Sequence, residues 1–171
     1  MCILITTTLP MNLDRTTLVE LIDRYDLYFQ PIQNEYINKQ FENGDIYLKA
    51  TKWGCDCKTG LGSYKVFSKR PSLEQFKSME KEERKQFQEL INQRNDELKS
   101  DAEKWLKFIG ELFEIKNVTK FGLLIHFYCT GLNEKEEEVI IKHTEKKNIQ
   151  NISVEFLMKM EEDILYQFVS N

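Results

Sequence analysis

Two cysteines separated by one residue, Cys55 and Cys57, lie in the part of this 171-residue chain that is richest in chemically capable side chains. Residues 53–63 read Trp-Gly-Cys-Asp-Cys-Lys-Thr-Gly-Leu-Gly-Ser and hold three of the seven glycines and one of the two tryptophans. The segment is neither a phosphate-binding Walker loop nor a dinucleotide-binding fingerprint, because the glycine spacing of both motifs is absent. We therefore expect a functional site here whose chemistry has to be inferred from individual residues.

The region around these cysteines is basic although the chain as a whole is acidic. Residues 49–70 contain six lysines and arginines against one acidic residue, whereas the formal net charge of the chain is −4 at pH 7. Glycines allow a bent backbone whose N–H groups can bind an anion, and nearby aromatic rings can stack on a base. These features predict a ligand-binding surface made of Lys52, Trp53, Lys58, Gly60, Gly62, Tyr64 and Lys65. A glycine-rich hairpin with solvated lysines is the simpler alternative.

The strands that would position this region are predicted from dense β-branched and aromatic runs. The segment 46–53 alternates apolar and polar residues and leads directly into the cysteines. The predicted strands cover residues 2–8, 27–32, 46–53, 121–130 and 139–144, with a short extra strand at 64–67.

Helices are predicted where apolar residues recur every three or four positions. One follows the first strand and includes residues 18–25. A longer helical stretch covers about residues 72–114, where capping boxes at Ser72 and Ser100 predict two helices. Ser153 is expected to cap a last helix that runs through Phe168.

This order of elements predicts a single α+β domain over residues 1–171. The expected architecture is an antiparallel sheet with helices mainly on one face. Its core would be a ferredoxin-like β-α-β-β-α-β arrangement, extended by a C-terminal hairpin strand and a terminal helix. Residues 81–100 are more polar than the rest of the long helical segment, with a thin apolar seam. We expect this part to project into solvent or to meet a partner, which makes a homodimer through helix 81–100 one option.

In this topology the first strand lies between the third strand and the 121–130 strand, antiparallel to both. Its start then lies beside their ends, which brings Cys2, Cys55, Cys57 and Cys129 to one rim of the sheet. Three interpretations stay open: ordinary packing and turn residues, a zinc site with four thiolates, or a reactive thiol activated by a neighbouring lysine.

The two histidines suggest a second metal site. If the hairpin turns about Glu134 and Lys135, His126 lies directly opposite His143 on one face of the sheet. Such a pair could bind a metal, and a half-buried surface pair is the alternative.

Composition narrows the class of protein. The longest apolar runs are far shorter than the ~20 residues of a membrane span, and the N-terminus lacks the basic start of a signal peptide. We therefore expect a cytoplasmic protein without a membrane partner, in which thiols stay reduced. The net negative charge disfavours general nucleic-acid binding.

The function predicted from these features is that of a small intracellular, non-catalytic binding or regulatory protein. Residues 52–70 would engage an anionic ligand, such as a nucleotide or nucleic acid, or a protein that it could inhibit. Binding is favoured over catalysis because no acid–base or nucleophile–base pair can be assembled from the sequence. The alternative is a thiol- or zinc-dependent enzyme that uses the four cysteines.

Overall fold

A computed structural model of the chain describes residues 2–32, 35–40, 44–50, 55–63, 73–128 and 140–170. The strands within these ranges are β1 (Cys2–Pro10), β2 (Gln30–Pro31), β3 (Asp45–Lys49), β4 (Lys120–Tyr128), β5 (His143–Asn148) and β6 (Ile164–Val169). The helices are α1 (Arg15–Arg24), α2 (Glu35–Asn38), α3 (Leu73–Ser78), α4 (Lys81–Leu112) and α5 (Val154–Met158). The predicted extra strand at 64–67 lies outside the described residues.

The strands form one mixed sheet in the order β2-β3-β1-β4-β6-β5. As predicted, β1 lies between β3 and β4 and runs antiparallel to both. β5 and β6, however, pair in parallel. The expectation of a purely antiparallel sheet is therefore wrong, and the ferredoxin-like arrangement is not confirmed.

The error originates in the last twenty residues, where a strand replaces the C-terminal part of the predicted terminal helix. Ser153 caps a helix as expected, its side chain accepting the Phe156 N–H at 3.1 Å, but α5 ends at Met158. The chain then reverses through Asp163, whose φ is +64°, and enters β6. This strand separates β5 from β4, so the predicted hairpin is absent from the sheet.

The altered strand order also removes the predicted histidine pair. His126 is opposite Leu4 of β1, whereas His143 is opposite Ile164 of β6. Because a whole strand separates the two histidines, the proposed metal site between them is wrong.

α4 is one continuous helix of 32 residues rather than two. The break predicted at Ser100 occurs instead between α3 and α4, where the Glu83 side chain accepts the Glu80 N–H at 3.1 Å. Ser100 itself is an exposed residue inside the helix. No helix in the described ranges, α4 included, combines the length and apolarity needed to cross a membrane.

The two parts of α4 differ in burial. All of its buried residues lie at or after Leu98, so residues 81–97, which we call the arm, contribute none to the core. The Phe87 ring lies 6.3 Å from the Phe76 ring of α3, while Leu90 is 64% exposed. Dimerisation through the arm stays a prediction.

The larger core lies on the sheet face covered by α1, α4 and α5. It is rich in aromatic rings, and Phe108 makes edge-to-face contacts with Trp105 and Phe121. A smaller cluster on the other face includes Leu4, Leu124 and Ile37 of α2. The larger core fixes the end of α4 against the sheet and provides the surface onto which the cysteine segment folds.

Candidate functional site

The segment that carries the cysteine pair returns to β1 after β3 ends. The Asp56 N–H donates to the Ile3 carbonyl at 2.7 Å, and the Ile5 N–H donates to the Asp56 carboxylate at 2.7 Å. Asp56 thus completes the hydrogen bonding of β1 where β3 no longer does. We call residues 55–63 the anchored loop.

A second attachment joins the anchored loop to α4. The Asp101 carboxylate accepts the Thr59 hydroxyl at 3.0 Å and the Gly60 N–H at 2.8 Å. Its other oxygen lies 3.1 Å from the Lys104 ammonium. One carboxylate therefore binds the loop and a cation of its own helix together.

The two glycines of the anchored loop allow close contact with the rest of the protein. A Cβ at Gly60 would lie 2.1 Å from the Leu98 carbonyl oxygen, and Gly62 has a φ of +63°. The Gly62 N–H donates to the Leu157 carbonyl at 3.0 Å. Because both glycine N–H groups have acceptors inside the protein, these contacts do not support the predicted role of Gly60 and Gly62 in holding an anion, which stays a prediction.

Cys55 and Cys57 form a disulfide in the anchored loop, with their Cα atoms 5.6 Å apart. Cys55 is half-buried, whereas Cys57 and the following Lys58 are exposed. The Cys57 N–H donates to Cys55 Sγ at 3.2 Å. This disulfide contradicts the expectation that the thiols stay reduced, and the Cys-x-Cys spacing does not signal it.

The predicted gathering of cysteines is confirmed in part. Cys2 is opposite Tyr128 in the sheet, and the neighbouring Ile3 carbonyl accepts the Asp56 N–H, so the start of β1 lies beside the end of β4 and the anchored loop. Nothing is described of the Cys2 side chain, and Cys129 lies outside the described residues. Four predicted site residues also lie outside the described residues: Lys52, Trp53, Tyr64 and Lys65.

The fit of zinc to these cysteines depends on their oxidation state. Zinc binds thiolates, and the sulfurs of Cys55 and Cys57 are joined to each other. Within the described ranges, no group of three or more histidine, cysteine, aspartate and glutamate side chains is placed to hold a metal ion. A four-thiolate zinc site would require the reduced loop and stays a prediction.

Sequence reasoning missed a second cluster of polar groups, at the entry to β6. His126 Nδ1 lies 2.6 Å from Asp163 Oδ1, and the Lys142 ammonium lies 3.2 Å from Asp163 Oδ2. Burial alone would raise the pKa of Asp163, but the hydrogen bonds from His126 and Lys142 outweigh it and lower the pKa below its usual value. The cluster joins the ends of three strands, and no local pattern signals it because Asp163 is 37 residues from His126.

Comparisons with protein-family models, with curated proteins and with solved structures gave no match for this chain.

Proposed function

We propose that this protein is a small binding or regulatory protein that engages its partner through residues 52–70. The partner is either an anionic ligand or another protein, which it would inhibit by occupying a surface. The observation that carries this proposal is the anchored loop, which is held at Asp56, Gly60 and Gly62 while Cys57 and Lys58 remain exposed.

Fixing a loop before binding favours recognition because less conformational entropy is lost when the complex forms. The attachments come from β1, from Asp101 of α4 and from the Leu157 carbonyl of α5. A loop held from three elements presents its exposed side chains in one geometry. This supports a recognition surface.

The charges of the anchored loop favour an anionic or acidic partner. Its carboxylate, Asp56, accepts the Ile5 N–H and thus faces the sheet. Lys58 is exposed to solvent, and further lysines precede and follow the loop in the sequence. Because the Asp56 carboxylate faces the sheet, Lys58 is the charged group that the loop presents to solvent, and it attracts negative charge.

The test is charge reversal in the surface with a matched control. The variant changes the three lysines of the surface to glutamate: Lys52, Lys58 and Lys65. The control makes the same change at three exposed lysines elsewhere: Lys85, Lys107 and Lys146.

Each purified protein is immobilised and exposed to an extract of the native host, and captured molecules are quantified by mass spectrometry. We expect the surface variant to capture about tenfold less partner, or still less, while the control captures as much as the wild type. Both variants should keep the wild-type circular dichroism spectrum. Equal capture by the two variants would remove residues 52–70 from the proposal.

A second candidate function is thiol–disulfide exchange, and the Cys55–Cys57 disulfide favours it. Cys57 is the more exposed cysteine of the pair, so we assign the attack of an incoming thiolate to its sulfur. The S–S bond then breaks, and Cys55 leaves as a thiolate that the Cys57 N–H stabilises. A second thiolate attacks the mixed disulfide. The two incoming thiols are thereby oxidised to a disulfide, and the disulfide of the protein is reduced to two thiols.

Glutathione provides the test of this exchange. Cys55→Ser removes the leaving thiol and should accumulate a mixed disulfide at Cys57 on exposure to oxidised glutathione, whereas Cys57→Ser should react more slowly at the half-buried Cys55. Peptide mass mapping identifies the modified residue. Equal reaction rates in the two variants, or no reduction of the wild-type disulfide by glutathione, would exclude the exchange.

A further inference from the structure

An open groove of about 620 Å³ lies between α1 and the β2–β3 edge of the sheet. Its α1 wall contains Arg15, Leu18, Val19 and Ile22, which share one helical face because they are three, four and seven residues apart. The opposite wall is also mainly apolar and contains Phe29, Pro31, Ile32, Ile46 and Leu48. The volume is within the range of small-molecule sites in proteins.

At its C-terminal end α1 is held by α4. The side chains of Arg24 and Tyr25, at the end of α1, both donate to the Glu111 carboxylate of α4 at 2.6 Å. β2 is short: it pairs with β3 at Gln30 and Pro31, and the Ile32 N–H donates to the Tyr47 carbonyl at 3.2 Å. The flank of α1 that faces this short edge therefore remains open, and Val19 is 55% exposed.

The charges that line the groove leave a cation at its surface. Asp45 is paired with Lys120 at 2.9 Å, which neutralises its charge. The Tyr47 hydroxyl donates to Thr6 Oγ1. Arg15 is exposed and forms no ion pair within the described ranges. An anionic group at this position would find a guanidinium next to an apolar wall.

We infer that this groove binds a small molecule with an apolar body and one anionic group, such as a medium-chain carboxylic acid. The apolar body lies against Val19, Ile22 and Ile46, and transfer of its surface from water provides most of the affinity. The carboxylate pairs with Arg15. This site is separate from the anchored loop and does not depend on the function proposed for it.

Isothermal titration calorimetry with decanoate and decanol, both below the concentrations at which they aggregate, tests this inference on the full chain. Decanoate should bind at one saturable site, about three- to tenfold more tightly than decanol. Val19→Trp should weaken decanoate binding about tenfold or more by filling the groove, and Leu90→Trp, at another exposed helix position on the arm, should leave it unchanged. Arg15→Gln should reduce decanoate to the affinity of decanol, while Arg94→Gln should have no effect.

The inference would be overturned by an absence of saturable decanoate binding, or by wild-type affinity in Val19→Trp. Equal affinity for decanoate and decanol would exclude the anionic group. If the tryptophan variant does not fold, Val19→Glu provides the same test, because its carboxylate can pair with Arg15 one helical turn away and should abolish decanoate binding.

Discussion

The anchored loop and the arm fix their backbones in opposite ways. The loop has almost no regular secondary structure, yet β1, α4 and α5 each hold it through hydrogen bonds or direct contact. The arm is a regular helix of 17 residues in which every residue is exposed or half-buried. Tertiary attachment rather than regular structure therefore decides which exposed side chains are held in place, and it favours the loop as the recognition surface.

The largest expected effect separates two leucines of the same helix. Leu98 is 4% exposed and Leu90 is 64% exposed, although they lie only eight residues apart in α4. Leu98→Ala should lower the free energy of unfolding by about 2–5 kcal/mol because it leaves a cavity at a buried position. Leu90→Ala should change it by less than about 0.5 kcal/mol. Urea unfolding measures both, and equal losses would show that the arm is packed as tightly as the core.

Alanine at Gly60 should be the next most damaging change. The added methyl group would overlap the backbone of α4 at Leu98 and Ala102, so the loop must move, at a cost of about 1–3 kcal/mol. Gly110 lies within α4 itself and has nothing within 4 Å of the added Cβ. Gly110→Ala should stabilise the protein by about 0.5–1 kcal/mol through its higher helix propensity. Loss of stability in both variants to the same extent would contradict the close approach of the loop.

Removing the Asp56 carboxylate should destabilise the protein to a similar extent, with the structural change centred on one strand. Asp56→Ala leaves the part-buried Ile5 N–H without its acceptor and should cost about 1–3 kcal/mol. Asp96→Ala, at an exposed position on the arm, serves as the control and should remain within about 0.5 kcal/mol of the wild type. In the Asp56 variant, NMR should show chemical-shift changes centred on β1. Changes confined to residues 55–63 would mean that the loop is not attached there.

The smallest effect should be the contribution of Asp163 to the pH dependence of stability. The pKa of this carboxyl is lowered in the folded protein by His126 and Lys142 despite burial, which acts in the opposite direction. Its contribution to stability is therefore complete above the unfolded-state pKa and is lost as the pH falls through the folded-state pKa, at pH values below about 4. Asp163→Asn retains a residue that tolerates positive φ. It should reduce the fall in the free energy of unfolding that accompanies acidification. An unchanged slope in the variant would contradict the interaction.

The sequence was sufficient to predict the centre of the sheet. β1 is dense in β-branched residues, and the cysteine segment follows β3 closely enough that the rim where it meets β1 could be inferred. The run Ile164–Val169 could not be assigned in the same way. Its apolar residues Ile164, Leu165 and Phe168 fit one face of a helix as well as a doubly covered strand. Its insertion between β4 and β5 depends on pairing between distant segments.

The site was predictable in position but not in structure. Cysteine and glycine density indicated the anchored loop, while the attachments that shape it come from Asp101, 41 residues away from Gly60, and from Leu157. Nothing near either residue in the sequence signals these hydrogen bonds. The glycines were assigned to anion binding because their flexibility was apparent, whereas their close contact with α4 and α5 depends on tertiary packing.

Hydrogen exchange at individual amides provides the most direct measurement of the contrast between loop and arm. The amides of Gly60 and Gly62 donate to acceptors inside the protein, so they should exchange nearly as slowly as those of β1, while the amides of residues 85–92 in the arm should exchange much faster. Fast exchange at Gly60 and Gly62, at rates equal to those of the arm, would show that the loop is not held in place and would contradict the proposed recognition surface.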